Sequence, residues 1–184
     1  MASAQLDYKV LSIDSDDDGL EPEYLDLGSL RIPFLDQMNI ELDLDSDTGQ
    51  VVSVSLSLGN SVVSIQAFSS PSDEQAWPSV RDAIVSELSN QHVETKVEIG
   101  NFGTEIRCFM PTLDEHGTQI VQNIRFVGVD GPRWFLRCTV GGDAATPSQE
   151  SRIIDDLISK IQVDRGDSPM PPGELLPLAI PDSD

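Results

Sequence analysis

The segment that most constrains the fold is residues 125–142, which predicts two β-strands folded back on each other. Its apolar runs flank Asp130-Gly131-Pro132, residue types that favour a turn, and Gly141-Gly142 ends the second strand. Residues 38–67 alternate between apolar and polar side chains, with turn signals at Gly49 and Gly59. That pattern predicts a meander of three antiparallel strands with one apolar face. The sequence therefore indicates a sheet built from hairpins.

Two segments with helical periodicity complete the pattern. Pro78 suits a first helical turn, and the spacing of the following apolar side chains predicts a helix with one buried face. These side chains are Trp77, Val80, Ile84 and Leu88. Thr146-Pro147-Ser148-Gln149 predicts a capping box at the start of a second helix, with Pro147 at its first position. A wide apolar stripe follows at Ile153, Ile154, Leu157, Ile158 and Ile161.

The order of elements is strands, helix, strands, helix. This order predicts an α+β fold, in which an antiparallel β-sheet packs with two main helices. Residues 1–23 are rich in acidic side chains, and we expect a disordered N-terminal tail there. Residues 24–163 are expected to form a single α+β domain. Residues 164–184 are rich in proline and predict an extended C-terminal arm that packs its leucines on the domain.

Charge and cysteine content narrow the classes of partner. The chain of 184 residues carries 32 acidic and 11 basic residues, a formal net charge of −21. Such a field repels phosphate backbones and anionic membranes, so we expect neither nucleic acid nor a membrane as the partner. The acidity fits solubility, origin in a salt-tolerant organism, or the attraction of a basic partner. Cys108 and Cys138 do not make a disulfide framework, and we expect a cytoplasmic protein with both thiols reduced in its core.

No motif for metal binding or catalysis is complete. Acids between residues 14 and 18 have the spacing of an EF-hand opening, but Leu25 stands where a bidentate glutamate is required. The acids between residues 43 and 47 fall in a predicted turn. His92 and His116 lie in separate predicted turns without nearby ligands. We therefore expect no metal, no cofactor and no catalytic residue.

Three phrases carry a family resemblance. They are Tyr-Leu-Asp-Leu-Gly-Ser-Leu-Arg-Ile-Pro at residues 24–33, Phe-Val-Gly-Val-Asp-Gly-Pro-Arg-Trp-Phe-Leu-Arg at 126–137, and Arg-Gly-Asp-Ser-Pro-Met-Pro-Pro at 165–172. The chain resembles an actinobacterial family of conserved domains of unknown function, a resemblance that implies no assigned activity. The layout of elements is also similar to the Mog1/PsbP-like sandwich, whose members are mostly binding and assembly factors.

One set of charged residues forms a candidate binding face. If the hairpin loop has three residues, Val129 faces Arg133, and Arg125 then lies opposite Arg137. If the previous strand pairs Ile106 with Ile124, Glu105 lies opposite Arg125. The candidate face comprises Glu105, Arg107, Arg125 and Arg137. It is interpreted either as a solvated structural ladder or as a site for an anion or an acidic peptide.

The sequence thus supports three functional hypotheses. The first is a non-enzymatic interaction protein, an adaptor or assembly factor, which binds a protein partner with a sheet face and the C-terminal arm. The alternative is a binder of a small anionic ligand at the arginine-bearing face. An enzyme with a site assembled from distant residues ranks last, because no motif supports it.

Overall fold

The computed structural model describes residues 2–6 and 23–181. In chain order, the strands and helices of the described residues are β1 (Ala2–Leu6), β2 (Tyr24–Asp26), β3 (Leu30–Pro33), β4 (Asn39–Leu44), β5 (Val51–Leu58), β6 (Ser61–Ser69), α1 (Trp77–Asn90), β7 (Glu94–Gly100), β8 (Gly103–Leu113), β9 (Gln119–Gly131), β10 (Trp134–Gly142), α2 (Gln149–Lys160) and β11 (Gln162–Val163). A short 3-10 turn at Asp143–Ala145 precedes α2. The predicted α+β class and its order of elements are confirmed.

A main sheet of eight strands dominates the fold. Its order is β1-β4-β5-β6-β10-β9-β8-β7, and every neighbouring pair is antiparallel. The predicted meander is present as β4, β5 and β6. Val54 lies opposite both Leu42 and Ile65, and all three side chains are fully buried. The alternation in the sequence thus places one face of these strands in the core.

Helices cover the two faces of this sheet. On one side, which we call the α2 face, Val127, Leu136 and Cys138 pack with Leu157 of α2. On the other side, the α1 face, Ile106 packs with the side chains of α1. Helix α1 contacts β7, β8 and β9. Strand β8 therefore has buried side chains on both faces, Glu105 on the α2 face and Ile106 on the α1 face.

Helix α1 begins where the sequence predicts, at Trp77 with Pro78 in its first turn. Asp130 of β9 supplies its cap, since one carboxylate oxygen accepts hydrogen bonds from the N–H of Ala76 at 2.8 Å and of Trp77 at 3.1 Å. The indole of Trp77 lies on Gly128, where a Cβ atom would overlap the ring. Glycine at this position lets α1 approach the sheet closely.

Helix α2 starts two residues later than the sequence predicts. Ser148 is the N-cap and forms a reciprocal capping box with Ser151, so Thr146 and Pro147 precede the helix. The box uses a serine three residues after the cap, instead of the more usual glutamate or glutamine. Leu157 and two isoleucines of the predicted stripe are buried against the α2 face, whereas Ile153 is partly exposed.

A second, three-stranded sheet of order β11-β3-β2 packs on the same side as α2. The sequence did not predict this sheet, because strands of two to four residues are too short to show a period. The C-terminal arm joins the two sheets. The N–H of Leu176 donates a hydrogen bond of 2.9 Å to the carbonyl of Ala67 in β6. The N–H of Ala179 donates one of 2.9 Å to the carbonyl of Leu27, in the turn after β2. Leu176 is buried, in agreement with the packing expected of the arm.

The predicted N-terminal tail falls mostly on residues 7–22, which lie outside the described residues. The exception is β1 (Ala2–Leu6), which pairs with β4 as an edge strand of the main sheet. For these five residues the structure differs from the prediction of disorder. The pairing uses backbone groups, so it needs no apolar pattern in the sequence.

Candidate binding site beside Arg137

The predicted pairing of Arg125 with Arg137 is wrong. Gly131 lies opposite Trp134, so the hairpin loop has two residues, and Arg137 lies opposite Gly128. Arg125 is opposite Val140 on the α2 face, which places Arg137 on the α1 face. The two arginines therefore point to opposite sides of the sheet, and the four residues of the predicted face do not form one site.

The error has a physical cause. A hairpin loop of three residues would place Phe126 opposite Leu136 on one apolar face of the sheet. In the structure both faces of this hairpin are buried: Phe126 packs with α1, and Leu136 packs in the core beneath α2. Alternation cannot choose between registers when both faces are apolar. Arg133, with a φ of 64°, takes the second loop position, where a type II turn needs a positive φ.

Arg125, Arg107 and Glu105 belong instead to a buried ion cluster, which we define as Glu98, Glu105, Arg107, Arg125 and Asp155. Arg125 donates to Glu105 at 2.9 Å and to Asp155 of α2 at 2.8 Å. Arg107 lies opposite Arg125, 3.4 Å from Glu105, and also pairs with Glu98. Each arginine thus has carboxylate partners within the protein.

Burial and charge act together on this cluster. Arg125 is 2% exposed. Burial alone would lower its pKa, but the hydrogen bonds with Asp155 and Glu105 outweigh burial and raise it. A cation held by two carboxylates in the core joins α2 to β8 and β9 and is closed to an external ligand. Glu105 and Arg125 are therefore structural residues that an external ligand does not reach. The side chain of Arg107 is 18% exposed, but its ion pairs with Glu98 and Glu105 already neutralise it.

Arg137 has a different environment. One of its terminal nitrogens donates to the side-chain oxygen of Gln66. Its guanidinium carbon lies 5.2 Å from the ring centroid of Phe68, which in turn stacks on Phe135 with centroids 4.9 Å apart. Burial lowers the pKa of Arg137. Among residues 23–181 no carboxylate forms an ion pair with it.

A cavity of about 400 Å³ opens at this guanidinium, between the start of α1, the ends of β6 and β10, and the C-terminal arm. We call it the arm pocket. It is lined by Phe68, Ser69, Pro71, Glu74, Gln75, Ala76, Ser79, Val80, Phe135, Arg137, Pro172 and Gly173. Its size lies within the range of about 300–1,000 Å³ that is usual for ligand sites. The lining combines aromatic and aliphatic side chains with one cation.

The arm fixes one wall of this pocket. The N–H of Gly173 donates to the Ser69 carbonyl at 2.8 Å, and the N–H of Ser69 donates to the Glu174 carbonyl at 2.8 Å. The Ser69 hydroxyl also bonds to the carbonyl of Pro171. These bonds occupy an edge of β6 that β5 does not reach, since β5 pairs with β6 only as far as Ile65. The arm is thus positioned by main-chain pairing.

Two further cavities offer no free cation. One of about 290 Å³ lies beside Trp77 and contains Arg81, which pairs with Asp82 at 3.0 Å. Another of about 250 Å³ contains Lys96 and Arg107, which both pair with Glu98. Of the three cavities, the arm pocket alone holds an arginine without an acidic partner within residues 23–181.

Of the two acidic segments, at residues 14–18 and 43–47, only the second lies among the described residues. The acids between residues 14 and 18 lie outside the described residues. Asp45 accepts hydrogen bonds from the backbone N–H of Thr48 at 2.8 Å and of Asp47 at 2.9 Å, which lower its pKa. These bonds close the turn between β4 and β5. Within the described ranges, no group of three potential ligands could hold a metal ion.

Both cysteines lie in the core. Cys108 and Cys138 are fully buried, on the faces that the sequence predicts. Burial raises the pKa of both thiols, that of Cys138 to about 12. A thiol that is inaccessible and protonated at neutral pH is a poor nucleophile. His92 and His116 are exposed, and neither accompanies a thiol.

Comparison with known proteins defines the family. Residues 8–184 match DUF3710, a family described as protein of unknown function, and the chain belongs to this family. The predicted resemblance to a family of unknown function is confirmed, while an actinobacterial source and the Mog1/PsbP likeness stay predictions. No curated protein and no solved structure matches the chain. No helix in the described part of the chain is long and apolar enough to cross a membrane.

Proposed function

We propose that the protein is a non-enzymatic interaction protein, an adaptor or assembly factor, which binds an acidic group of a protein partner at the arm pocket. The observation that carries this proposal is the half-buried guanidinium of Arg137, which has no carboxylate partner among the residues that the structure describes. The chain has 32 acidic residues to neutralise 11 basic ones. Leaving a partly desolvated cation unpaired costs stability, and a partner's carboxylate would recover that cost in the complex.

The surroundings of the pocket also support a protein partner. The α1 face continues from Arg137 across β6 and β5, where Ser57 and Ser64 are half-buried and Val62 is 45% exposed. Half-buried serines beside an exposed apolar side chain can hydrogen-bond a docked chain, as the polar rim of an interface does. The sheet face and the C-terminal arm meet at the arm pocket, so a single partner can contact both.

Several features favour binding over catalysis. The buried thiols are protonated, and Arg125 is paired with two carboxylates in the core and closed to ligands. Ser69, Glu74 and Ser79 line the arm pocket, but no histidine that could activate a serine is among its described lining residues. We also propose a cytoplasmic location, because reduced cysteines are typical of that compartment.

A comparative capture experiment tests the proposal. Tagged wild-type protein, Arg137→Ala and Arg152→Ala are incubated with native lysate, and captured proteins are quantified by mass spectrometry. Arg152 is exposed on α2, away from the pocket, and its loss changes the net charge equally. We expect a partner that wild type and Arg152→Ala retain and Arg137→Ala loses. A set of captured proteins that does not depend on Arg137 contradicts the proposal.

The alternative function is the binding of a small anionic ligand in the same pocket. The cavity volume of about 400 Å³ favours it, because that volume accommodates a small molecule. A thermal-shift screen of anionic metabolites separates the two functions, since a ligand at 100 times its dissociation constant adds about 2.7 kcal/mol of stability. Arg137-dependent stabilisation without an Arg137-dependent protein partner would favour the small ligand.

A further inference from the structure

We propose that the acidic group taken by the arm pocket is the C-terminal carboxylate of a chain that ends in a large apolar residue, with the carboxylate on Arg137 and the side chain against the aromatic wall. This inference rests on the proposed function and names the chemistry of its site. Three features of the pocket support it: its charge, the N–H groups of Arg137 and its apolar lining.

The charge of the pocket favours a single negative charge. Arg137 is its one basic lining residue, and the exposed Glu74 adds a negative charge at the rim. The start of α1 does not add to the positive field, because Asp130 already caps Ala76 and Trp77. A dianionic phosphate in a protein of net charge −21 would meet repulsion that one guanidinium does not offset. A carboxylate carries one charge and matches the planar fork of arginine.

Most N–H groups of the Arg137 guanidinium have no hydrogen-bond partner among the described residues. A guanidinium has five N–H donors, and the structure gives one terminal nitrogen a partner, Gln66. The stack of Phe68 on Phe135 holds one side of the guanidinium and limits its rotation. The remaining N–H groups can therefore donate two parallel hydrogen bonds to a carboxylate without reorganising the pocket.

The apolar lining distinguishes a chain terminus from an acidic side chain. Phe68, Phe135, Val80 and Pro172 line the same pocket as Arg137, and the ring of Phe68 lies next to the guanidinium. The side chains of aspartate and glutamate offer one or two methylene groups to such a wall. A C-terminal residue instead carries its carboxylate and an apolar side chain on the same Cα atom, so it can satisfy the cation and the wall together. Transfer of the apolar side chain from water to this wall also favours binding.

Titration of N-acetyl-L-phenylalanine, followed by ¹H–¹⁵N NMR of the Arg137 Nε–H signal, tests this chemistry. We expect saturable shifts of that signal, and binding weaker by about tenfold or more for N-acetyl-L-phenylalaninamide, which lacks the charge-assisted bonds. N-acetylglycine, which lacks the apolar side chain, should also bind more weakly. Arg152→Ala should bind like wild type. Arg137→Ala lacks the Nε–H signal, so it is followed by the backbone amide signals of the arm pocket, such as that of Gly173, and it should not bind.

A short peptide that ends in phenylalanine provides the second arm of the experiment. It should bind at least as tightly as N-acetyl-L-phenylalanine, and its C-terminal amide should not. If the small acid binds and the peptide is excluded, the source is a small carboxylate and the chain terminus is ruled out. If inorganic phosphate shifts the Arg137 signal more strongly than the acid does, the carboxylate is ruled out as well.

These results are distinguishable from failure of the proposed function. An Arg137-dependent partner in the capture experiment, together with no response to any probe, overturns this inference alone. If neither a partner nor any probe binds in a way that depends on Arg137, the proposed function and this inference are both overturned. Equal binding of the acid and its amide also overturns the inference, because the pocket would then recognise only the apolar group.

Discussion

Replacing Arg125 with methionine should destabilise the fold strongly, because it breaks the ion cluster while keeping an unbranched side chain of similar length. Arg125 is 2% exposed and donates to Glu105 and Asp155. Removing one partner of a buried ion pair costs about 3–5 kcal/mol. Arg107 remains 3.4 Å from Glu105 and relieves part of the lost attraction. We therefore expect the lower end of that range, about 3 kcal/mol.

Urea unfolding measures this loss directly, with the fluorescence of Trp77 and Trp134 as the signal. A loss of about 3 kcal/mol lowers the midpoint by about 1–3 M at an unchanged slope, and the melting temperature by about 6–12 °C. The control is Arg31→Met. Arg31 pairs with Asp26 at 3.1 Å, but the two side chains are 53% and 57% exposed. We expect the control to change stability by about 0–1 kcal/mol. An Arg125→Met loss no larger than that of the control would refute a stabilising role for the cluster.

Three other substitutions test separate parts of the structure. Leu157→Asp places an unpaired charge at a position that is 1% exposed, so the cooperative thermal transition seen by circular dichroism should disappear. Gly100→Ala should cost about 1–3 kcal/mol in urea unfolding, because its Cβ would overlap the Glu105 carboxylate, whereas Gly141→Ala, which has space for a Cβ, should cost less. Burial raises the pKa of Cys138 from 9.0 to about 12, so the unfolded chain releases this proton at lower pH than the native protein. Stability should then fall as pH rises above about 9, and urea midpoints of Cys138→Ala should fall less steeply between about pH 8 and 10.

The sequence by itself determined the elements that depend on local patterns. Alternation placed β4, β5 and β6 as a meander, and Pro78 with its apolar stripe placed α1. Both cysteines were placed in the core from their neighbours on the strand. These features follow from periods of two and 3.6 residues, which need no knowledge of distant parts of the chain.

Only the tertiary structure decided the register of β9 and β10. That register determines which face of the sheet carries Arg125 and which carries Arg137. Apolar side chains lie on both faces of this hairpin, so their alternation does not distinguish a two-residue loop from a three-residue loop. Arg125 is neutralised because Asp155, 30 residues further along the chain, reaches it from α2. Within residues 23–181 Arg137 has no carboxylate partner, because the α1 face meets the start of α1 and the C-terminal arm beside it. Both outcomes depend on which element covers a face, and that choice is made by packing between segments far apart in the sequence.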